Sequence, residues 1–579
     1  MVDSSVFSAI AIISDFTSPK LEMEPADNPK PRPKHRPRKT LSCQPCRHSK
    51  LRCDRQHPCG TCRQRSCVPS CIFQPPSFIP SIRSERPARS PRPSDVADPP
   101  RSLPSIREID PRLGPSLLSE PQSPGFTHGR WDAVLRRPAV DRDDTSSALE
   151  DLFVPSSAIP AISKEKLLQQ LPPDGCCEYL ISEYFTRLSP MFHILHGPTF
   201  ERQYATFLQD RANTSFSWLA LLFMVCSVTL NTMDPGDPVL VDVLAGQPRL
   251  NDTAAAMHQL RKAALTCLAQ DRFLVHHDLN TLEAILILIY TVSHNEGVER
   301  GWVLLGMALN MGIALRCNVN SAQLNCIEIE RRRRCWAGIL TLHTYQAILF
   351  RDIDMSFLLD IKATMPTDTN DSDIHEDAIL EATSSPTQMS LMKFKLRLFQ
   401  LSTQICCHIS GPSKLDQNLL NEFDIAIAEE QRLWDSVFLV NGAPSLLDHP
   451  SYAHWCVLQT YAHQLYLLIH RPFYNSQSPS FLPPSRDRCI RSSASLLDLH
   501  RQFFELPRLR NYRWLVNGMN SFNALHGAVA LASCLLDMPD TFDSTPHWNE
   551  FHATVRRMEV LQRRSPVCAK AYPMLRHLQ

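Results

Sequence analysis

The chain has 579 residues and is close to neutral, with 60 Lys and Arg against 59 Asp and Glu. Only 17 residues are glycine, and this scarcity disfavours glycine-rich phosphate loops and strand-dense folds. The 20 cysteines do not indicate a secreted disulfide protein. The short apolar run near the N-terminus is preceded by the acidic Asp3 and by no basic residue, unlike the apolar run of a secretory signal. We therefore expect no secretory signal.

The first feature along the chain is a proline-interrupted basic arm at the end of residues 1–39, a segment that we predict to be disordered. Lysine and arginine alternate with proline there, and proline keeps a chain extended. We interpret the arm as a nuclear-import signal or a contact to a nucleic-acid backbone, with a merely solvated tail as the alternative. Its candidate residues are Lys34, Arg36, Arg38 and Lys39.

Residues 40–73 contain two copies of a cysteine half-site, each a CxxC pair followed by one more cysteine. The half-sites are Cys43, Cys46 and Cys53, and then Cys59, Cys62 and Cys71. Zinc takes four nitrogen or sulfur ligands in a tetrahedron, so six sulfurs can hold two zinc ions only if two of them bridge. The spacing predicts a zinc site. A thioredoxin-like redox motif would need a βαβ pattern, which is absent from this sequence.

The charge is distributed unevenly, which points to a polyanionic partner. Residues 30–101 contain 17 Lys and Arg against 4 Asp and Glu, a net charge of +13 in a chain whose total is +1. The rest of the chain therefore sums to −12. A basic module on an otherwise acidic chain is typical of nucleic-acid binding.

The motif of residues 46–54, in which Arg47, Lys50 and Arg52 lie between two cysteines and Asp54 follows, resembles the fungal zinc binuclear cluster DNA-binding domain. The resemblance implies two zinc ions. In it, Cys43 and Cys59 bridge both metals, Cys46 and Cys53 complete one site, and Cys62 and Cys71 complete the other. We favour Cys71 over the extra Cys67 as the last ligand, because the family leaves six to eight residues after the second CxxC pair.

The basic residues between the first three cysteines are the predicted DNA contacts: Arg47, His48, Lys50 and Arg52. A lysine at the end of a short helix can donate to guanine O6 and N7 in the major groove. The resemblance implies that Lys50 reads a CGG-type triplet and that the flanking arginines hold phosphates. No aromatic residue lies between Cys43 and Cys71, which favours double-stranded DNA over RNA as the partner.

Residues 74–164 are rich in proline, serine and arginine, and we predict a disordered linker. Its prolines leave no heptad repeat, so we expect no coiled-coil dimer by that route, although a homodimer stays open. Residues 141–154 alternate acids with apolar residues. This pattern is typical of an activation segment that contacts the transcription machinery or coactivators. We favour the alternative, the acidic first turn of a helix.

Residues 165–579 are predicted to form one large all-helical domain. Apolar stripes that are not interrupted by the turn residues typical of strand boundaries lie in 181–188, 282–290, 302–315 and 455–469. Residues 391–405 begin with a strand-like alternation, but their apolar residues keep helical spacing over a length that favours a helix. The uncharged apolar run 217–228 is shorter than the ~20 residues that span a bilayer, so no membrane partner is expected.

Several pieces of this region resemble the fungal-specific transcription factor domain: residues 171–200, 301–315, 328–339 and 468–473. The resemblance implies a regulatory helical domain, ligand-responsive in some members, and leaves a small-molecule effector open. Together with the zinc module, it implies a nuclear, pathway-specific regulator of RNA polymerase II genes. No nucleotide-binding, serine-hydrolase or zinc-protease motif is present, so we predict that the chain is not an enzyme; an enzyme of unknown type carrying a zinc module is the alternative.

Three further clusters have ordinary interpretations. The arginine run 331–334 can be a second nucleic-acid contact, but Trp336 and Ile339 follow at helical spacing. We therefore predict a helix whose arginines pair with nearby acids. Residues 276–278 are predicted to be surface or capping residues, and the cysteine pairs 176–177 and 406–407 to be thiols on helix faces.

Overall fold

The computed structural model of this chain has two compact units, one formed from residues 21–125 and the other from 1–20 and 126–579. We call the first the cysteine unit and the second the helical body. The described residues of the cysteine unit are Cys46, Cys53, Asp54, Gln56 and 59–65. Those of the helical body are 162–233, 253–296, 298–349, 355–382, 385–410, 415–445, 447–539 and 542–579.

The cysteine unit contains a short helix, α1 (Gly60–Gln64). Its described residues include no Leu, Ile, Val, Phe, Tyr or Trp. The buried residues among them are the three cysteines Cys46, Cys59 and Cys62. The interior of the described part of this unit is therefore formed by sulfur and not by hydrocarbon.

The helical body is built from helices of very different lengths. In its first half they are α2 (Lys164–Leu168), α3 (Asp174–Arg187), α4 (Gly197–Gln209), α5 (Phe216–Thr232), α6 (Thr253–Gln270), α7 (Leu279–Asn295), α8 (Val298–Ala314) and α9 (Cys326–Leu349). In its second half they are α10 (Ser390–Ser410), α11 (Gln417–Phe438), α12 (His449–His470), α13 (Pro483–Glu505), α14 (Met519–Leu536), α15 (Thr545–Leu561) and α16 (Pro566–His577). Short 3₁₀ helices include Ser356–Leu358 and Asp371–Asp373.

Two helices at the centre of the first half are largely apolar and are buried on nearly every side. In α5, all but two of the seventeen residues are buried, and α7 is buried from Leu279 through His294 except at Asn280. Helix α5 packs against α3, α6 and α7, and α7 packs against α8. A helix without a polar face has to lie inside a protein or a membrane, and here the surrounding helices cover it.

The second half has a similar arrangement around α12, α13 and α14. Helix α13 packs against both of the others, and α14 is buried over most of its length. Gly518, directly before α14, lies so close to the helix α7 terminus that an added Cβ would sit 0.9 Å from the carbonyl oxygen of His294. Only glycine fits that backbone contact.

The predicted helical character of this region is confirmed for its described residues. Their only β-pairs are two isolated bridges, Ile374 with Ile379 and Val440 with Ala443. The ambiguous segment 391–405 lies inside α10, so helical spacing outweighs the short alternation at its start. Of the described helices, α14 alone is long and apolar enough to cross a membrane, and 83% of it is buried within the body.

Candidate functional site

Helix α1 of the cysteine unit begins at a cysteine. Cys59 is its N-cap, with extended backbone angles (φ −70°, ψ 151°), and its sulfur accepts a hydrogen bond from the Cys62 backbone N–H at 3.4 Å. The CxxC spacing thus places Cys59 before the first turn and Cys62 within it. Both thiols are buried on the same side of this turn.

Three sulfur atoms converge next to this turn. The Sγ atom of Cys46 lies 3.5 Å from that of Cys59 and 4.0 Å from that of Cys62, and all three lie within 4.8 Å of one another. Tetrahedral zinc with Zn–S bonds of ~2.3 Å separates its sulfur ligands by about 3.8 Å. The described thiols therefore fit the donor type and spacing that zinc requires.

A second group shares one of these cysteines. Ligand atoms of Cys53, Asp54 and Cys59 also lie within 4.8 Å of one another. Cys59 is common to both groups, as a sulfur bridging two metals would be. The predicted division of Cys46 and Cys62 between two metals stays a prediction, since their sulfurs are also close to each other.

Asp54 caps backbone N–H groups in this unit, a role that was not predicted from the sequence. Its carboxylate accepts hydrogen bonds from the backbone N–H groups of Gln56, at 3.2 Å, and Gly60, at 2.8 Å. The second bond satisfies the first residue of α1, where a negative charge is favourable. Its position directly after Cys53 was visible in the sequence, but its distant hydrogen-bond partner was not.

The remaining predicted ligands and contacts lie outside the described residues: Cys43, Cys71 and the alternative Cys67; Arg47, His48, Lys50 and Arg52; and Lys34, Arg36, Arg38 and Lys39. The segment 141–154 also lies outside them. The described residues do include two exposed cations, Arg63 and Arg65, in and directly after α1. The sequence analysis counted these two arginines in the basic charge but assigned them no contact.

The arginines of the run 331–334 pair with carboxylates of the helical body, as predicted. Arg331 forms an ion pair with the buried carboxylate of Glu283 at 2.9 Å, and Arg332 pairs with Glu328 at 3.0 Å. Burial raises the pKa of Glu283, but the Arg331 guanidinium opposes that rise. The charges of these arginines are therefore offset by carboxylates of the helical body, which is the interpretation that the sequence favoured over a second nucleic-acid contact.

Arg334 belongs to a buried network centred on Asp371. One Asp371 oxygen accepts from Arg334 Nη1 at 2.6 Å and lies 3.0 Å from His193 Nε2, and the other accepts from the Gly197 backbone N–H at 2.8 Å. Burial would raise the pKa of the Asp371 carboxyl, but Arg334 and His193 hold it well below its usual range. The network fastens α9 and the start of α4 to the segment around Asp371.

The predicted capping or surface role is confirmed for Asp278 and His276, and both predicted cysteine pairs, 176–177 and 406–407, lie in helices, α3 and α10. Asp278 caps α7, because its carboxylate accepts from the Thr281 backbone N–H at 2.8 Å, while His276 is exposed. Cys176 and Cys177 are buried in α3, and burial raises the pKa of Cys176 to about 12. Such a thiol stays protonated and chemically inert at neutral pH.

A groove of about 210 Å³ opens on the helical body between α10 and the segment 358–368. Its floor is apolar, and Lys393 and Arg397 of α10 lie on its rim. Its lining combines apolar side chains with a few polar groups, as in a small-molecule pocket.

Comparisons with known proteins agree with this structure. Residues 181–436, from within α3 to within α11, match the family model of the fungal specific transcription factor domain. Transcription factor phm2 of a Pyrenochaetopsis species is 23% identical over 86% of this chain and 78% of its own length. The Zn(2)-C6 fungal-type transcription factor mpsB of Macrophomina phaseolina is 22% identical over 51% of this chain and 45% of its own length.

A third relative, the aurofusarin cluster transcription factor aurR2 of Gibberella zeae, is 23% identical over 86% of this chain and 73% of its own length. The matched family and these relatives are transcription factors and not enzymes. The prediction that the chain is not an enzyme is thereby confirmed, and so is the resemblance on which the sequence analysis rested.

Proposed function

We propose that this chain, a fungal transcription factor with a fungal-specific transcription factor domain in its helical body, is a zinc-dependent, sequence-specific DNA-binding regulator of RNA polymerase II genes. The observation that carries the proposal is the convergence of the Cys46, Cys59 and Cys62 sulfurs within 4.8 Å of one another. It supports a metal-organised DNA-binding module on a chain whose relatives are transcription factors.

In this proposal, six thiolates hold two zinc ions: Cys43, Cys46, Cys53, Cys59, Cys62 and Cys71. Bound zinc supplies folding free energy to such a module. The protein's own part is to present the thiols: α1 spaces Cys59 and Cys62 by one turn, and Asp54 caps that turn. The name of the relative mpsB includes Zn(2)-C6, which supports the same metal content.

DNA reading is assigned to the basic residues between the first three cysteines. Lys50 donates to guanine O6 and N7 of a CGG-type triplet, while Arg47, His48 and Arg52 contact the flanking backbone. The exposed Arg63 and Arg65 add positive charge near the same module. The basic arm of Lys34, Arg36, Arg38 and Lys39 serves nuclear import or further phosphate contacts, and the proposed location of the protein is the nucleus.

The helical body is the regulatory part. It is large enough to take a metabolite and to contact coactivators or a second copy of the chain, whereas the cysteine unit is too small for a pocket. One relative is named for the aurofusarin cluster, which supports a pathway-specific regulator. Deleting residues 165–579 is therefore expected to preserve triplet binding and to abolish regulated transcription.

The test combines metal analysis with selection of bound duplexes from random DNA. The full chain is expected to contain two zinc ions and to enrich CGG-type triplets. Lys50→Ala is expected to relax the preference within the triplet and to cost ~1–3 kcal/mol of binding free energy. Arg47→Ala serves as the matched control, because loss of a phosphate contact weakens all sequences alike and flattens the salt dependence.

Two results would contradict the proposal. The first is a chain that binds no zinc, or that binds DNA equally well after its zinc has been removed. The second is a Lys50→Ala variant that selects the same triplet as the native protein, since Lys50 would then not read the bases.

A further inference from the structure

The floor of the groove beside α10 is formed by polarisable side chains. Met389 and Met392 are buried there together with Phe399, and Met365 lies at the edge with 39% of its surface exposed. Methionine sulfur contacts aromatic rings favourably and adapts to their shape. A floor of this composition suits a flat aromatic body better than a branched aliphatic one.

Apolar surface continues from the floor onto the adjacent segment. Leu359, which lines the groove, is 38% exposed, and its near neighbour Phe357 is 49% exposed. Exposed apolar side chains that adjoin a concave apolar floor are typical of a binding site, whereas single exposed ones scattered over a surface are ordinary. Leu359 therefore offers apolar surface at the groove itself.

Two cations lie on the rim one helical turn apart. Lys393 Nζ donates to Asp368 Oδ2 at 2.9 Å, and Arg397 donates through Nε and Nη2 to Glu430 at 2.8 and 2.7 Å. Arg397 Nη1 and two of the Lys393 N–H groups make no such bond to the described residues. An anion at the rim would therefore share Lys393 with Asp368 and Arg397 with Glu430, and would use the N–H groups that these two carboxylates leave open.

The wall opposite α10 is held in place independently of any ligand. Asp368 accepts hydrogen bonds from the hydroxyls of Thr387, at 2.5 Å, and Ser390, at 3.1 Å. The adjacent Thr367 backbone N–H donates to the buried Glu330 at 3.0 Å. The groove is therefore pre-formed, so that a ligand does not have to order its wall.

We propose that this groove binds a small aromatic carboxylate, with its ring system on the methionine floor and its carboxylate between Lys393 and Arg397. The proposal deepens the regulatory role assigned to the helical body, because it names the class of ligand that the body takes. An apolar floor gives affinity for the ring, and the two cations select the acid over a neutral analogue of the same shape.

The test uses 1-naphthoate as the probe and the neutral alcohol 1-naphthalenemethanol as its matched analogue, both titrated calorimetrically into the zinc-loaded full chain. We expect saturable binding of about one naphthoate per chain, with weaker binding of the alcohol. Lys393→Gln and Arg397→Gln are each expected to weaken naphthoate about two- to fivefold, as for an exposed ion pair, and to leave the alcohol unchanged.

Arg211→Gln is the matched control variant. Arg211 donates to both Asp174 oxygens at 2.6 and 2.7 Å, and its side chain is 42% exposed, against 45% for Arg397. It therefore loses the same kind of ion pair at a position outside the groove, and its naphthoate affinity should equal that of the native chain. Leu396→Trp, which places an indole in the groove, is expected to abolish binding of both probes.

Three results would overturn the proposal. They are no saturable naphthoate binding, equal affinities for acid and alcohol, or rim variants that behave like Arg211→Gln. Saturable binding of a synthetic peptide of residues 141–154 at this groove in place of naphthoate would overturn it too, and would identify that acidic segment as the occupant. DNA binding is measured on the same preparations, so a chain that binds its triplet but not naphthoate refutes the groove assignment alone.

Discussion

The cysteine unit and the helical body differ in the chemical groups that fill their interiors. In the cysteine unit, the buried described residues are three cysteines whose sulfurs lie within 4.8 Å of one another. In the helical body, apolar side chains form one continuous core, and the buried Arg331 and Arg334 within it pair with Glu283 and Asp371. The interior of the described part of the cysteine unit is therefore formed by sulfur atoms of the kind that bind metals, and the interior of the helical body by hydrocarbon side chains.

This difference follows from size. A segment of a few tens of residues buries too little apolar surface to offset its conformational entropy, so it needs a metal or disulfides. A region of roughly 400 residues buries enough apolar surface to fold without a metal and to hold some charges in its interior. The two units should therefore respond differently to changes in metal, charge and pH.

The largest contrast is expected on removal of zinc. Structural zinc contributes about 10–16 kcal/mol to such small modules at neutral pH. We expect a chelator to unfold the cysteine unit completely and to leave the thermal transition of the helical body unchanged, as seen by calorimetry and circular dichroism. Zinc added back should restore DNA binding, whereas magnesium, a hard cation that prefers oxygen ligands, should not.

If the chelator shifts the transition of the helical body by more than a degree or two, the body also depends on a metal. If DNA binding survives chelation, the sulfur cluster does not hold the DNA-contacting residues in place. Either result would remove the contrast between the two units.

The next largest effect concerns the buried charges of the helical body. Asp371→Asn leaves the Arg334 guanidinium, which is 0% exposed, without its closest carboxylate. Removing one partner of a buried pair costs about 3–5 kcal/mol, which we expect as a loss in the free energy of unfolding measured with urea. Asp377→Asn is the control, because Asp377 is exposed on the same segment, and we expect it to change stability by less than about 0.5 kcal/mol.

The pH dependence of this pair has a definite sign. The pKa of Asp371 is below that of an ordinary aspartate, so its contribution to stability is fully present above about pH 4 and is lost as the pH falls further. The Asp371→Asn variant should lack this acid-dependent loss. An identical acid unfolding profile in the two proteins would show that the pair does not stabilise the body.

The same contrast explains what the sequence could predict. The cysteine half-sites are local patterns, so the convergence of the Cys46, Cys59 and Cys62 sulfurs was predictable from their spacing, while the zinc ions themselves stay a prediction. The arginine run was correctly predicted to pair with acids, yet its partner Asp371 is 37 residues from Arg334, and Glu283 is 48 residues from Arg331. Partners that distant are brought together by the packing of whole helices, and helical periodicity does not specify that packing.

Lys395 shows the same limit from the opposite side. It lies in the segment 391–405, which was correctly predicted as a helix, between the apolar Phe394 and Leu398. The periodicity gives no reason to expect that its ammonium group is buried and donates to the Met191 carbonyl oxygen at 2.8 Å. The groove beside α10 was also not located by sequence, since its wall is an irregular segment without periodicity.

This buried lysine provides the third prediction. Burial lowers the pKa of Lys395 to about 7, from 10.5 in an exposed lysine. Between these two values the unfolded chain binds the extra proton, so the contribution of Lys395 to stability rises with pH across that window. We expect the free energy of unfolding of the native chain, relative to Lys395→Met, to increase by up to about 1.4 kcal/mol per pH unit.

Urea unfolding of both proteins at several pH values between 7 and 10 measures this slope. The neighbouring His294 and His454 do not interfere, because burial lowers their pKa values to about 3 and about 4. Lys393→Met is the control, since the Lys393 side chain is 57% exposed. A difference between native chain and Lys395→Met that stays constant with pH would mean that the ammonium remains hydrated.

The smallest predicted effect uses one chemical device that both units share, a carboxylate that accepts a backbone N–H at the start of a helix. Asp54 accepts from Gly60 in the cysteine unit, and Asp278 accepts from Thr281 in the helical body, both at 2.8 Å. Removing such a cap costs about 1 kcal/mol in either place.

In the helical body, Asp278→Ala should lower the midpoint of thermal unfolding by only about 1–3 °C, because the loss is small against a large unfolding entropy. In the cysteine unit, folding and metal binding are one equilibrium, so Asp54→Ala should instead lower the zinc affinity about fivefold in a competition titration with a chromogenic chelator. An Asp54→Ala variant with native zinc affinity would show that α1 forms before the metal binds, and that the cysteine unit is less dependent on zinc than its composition implies.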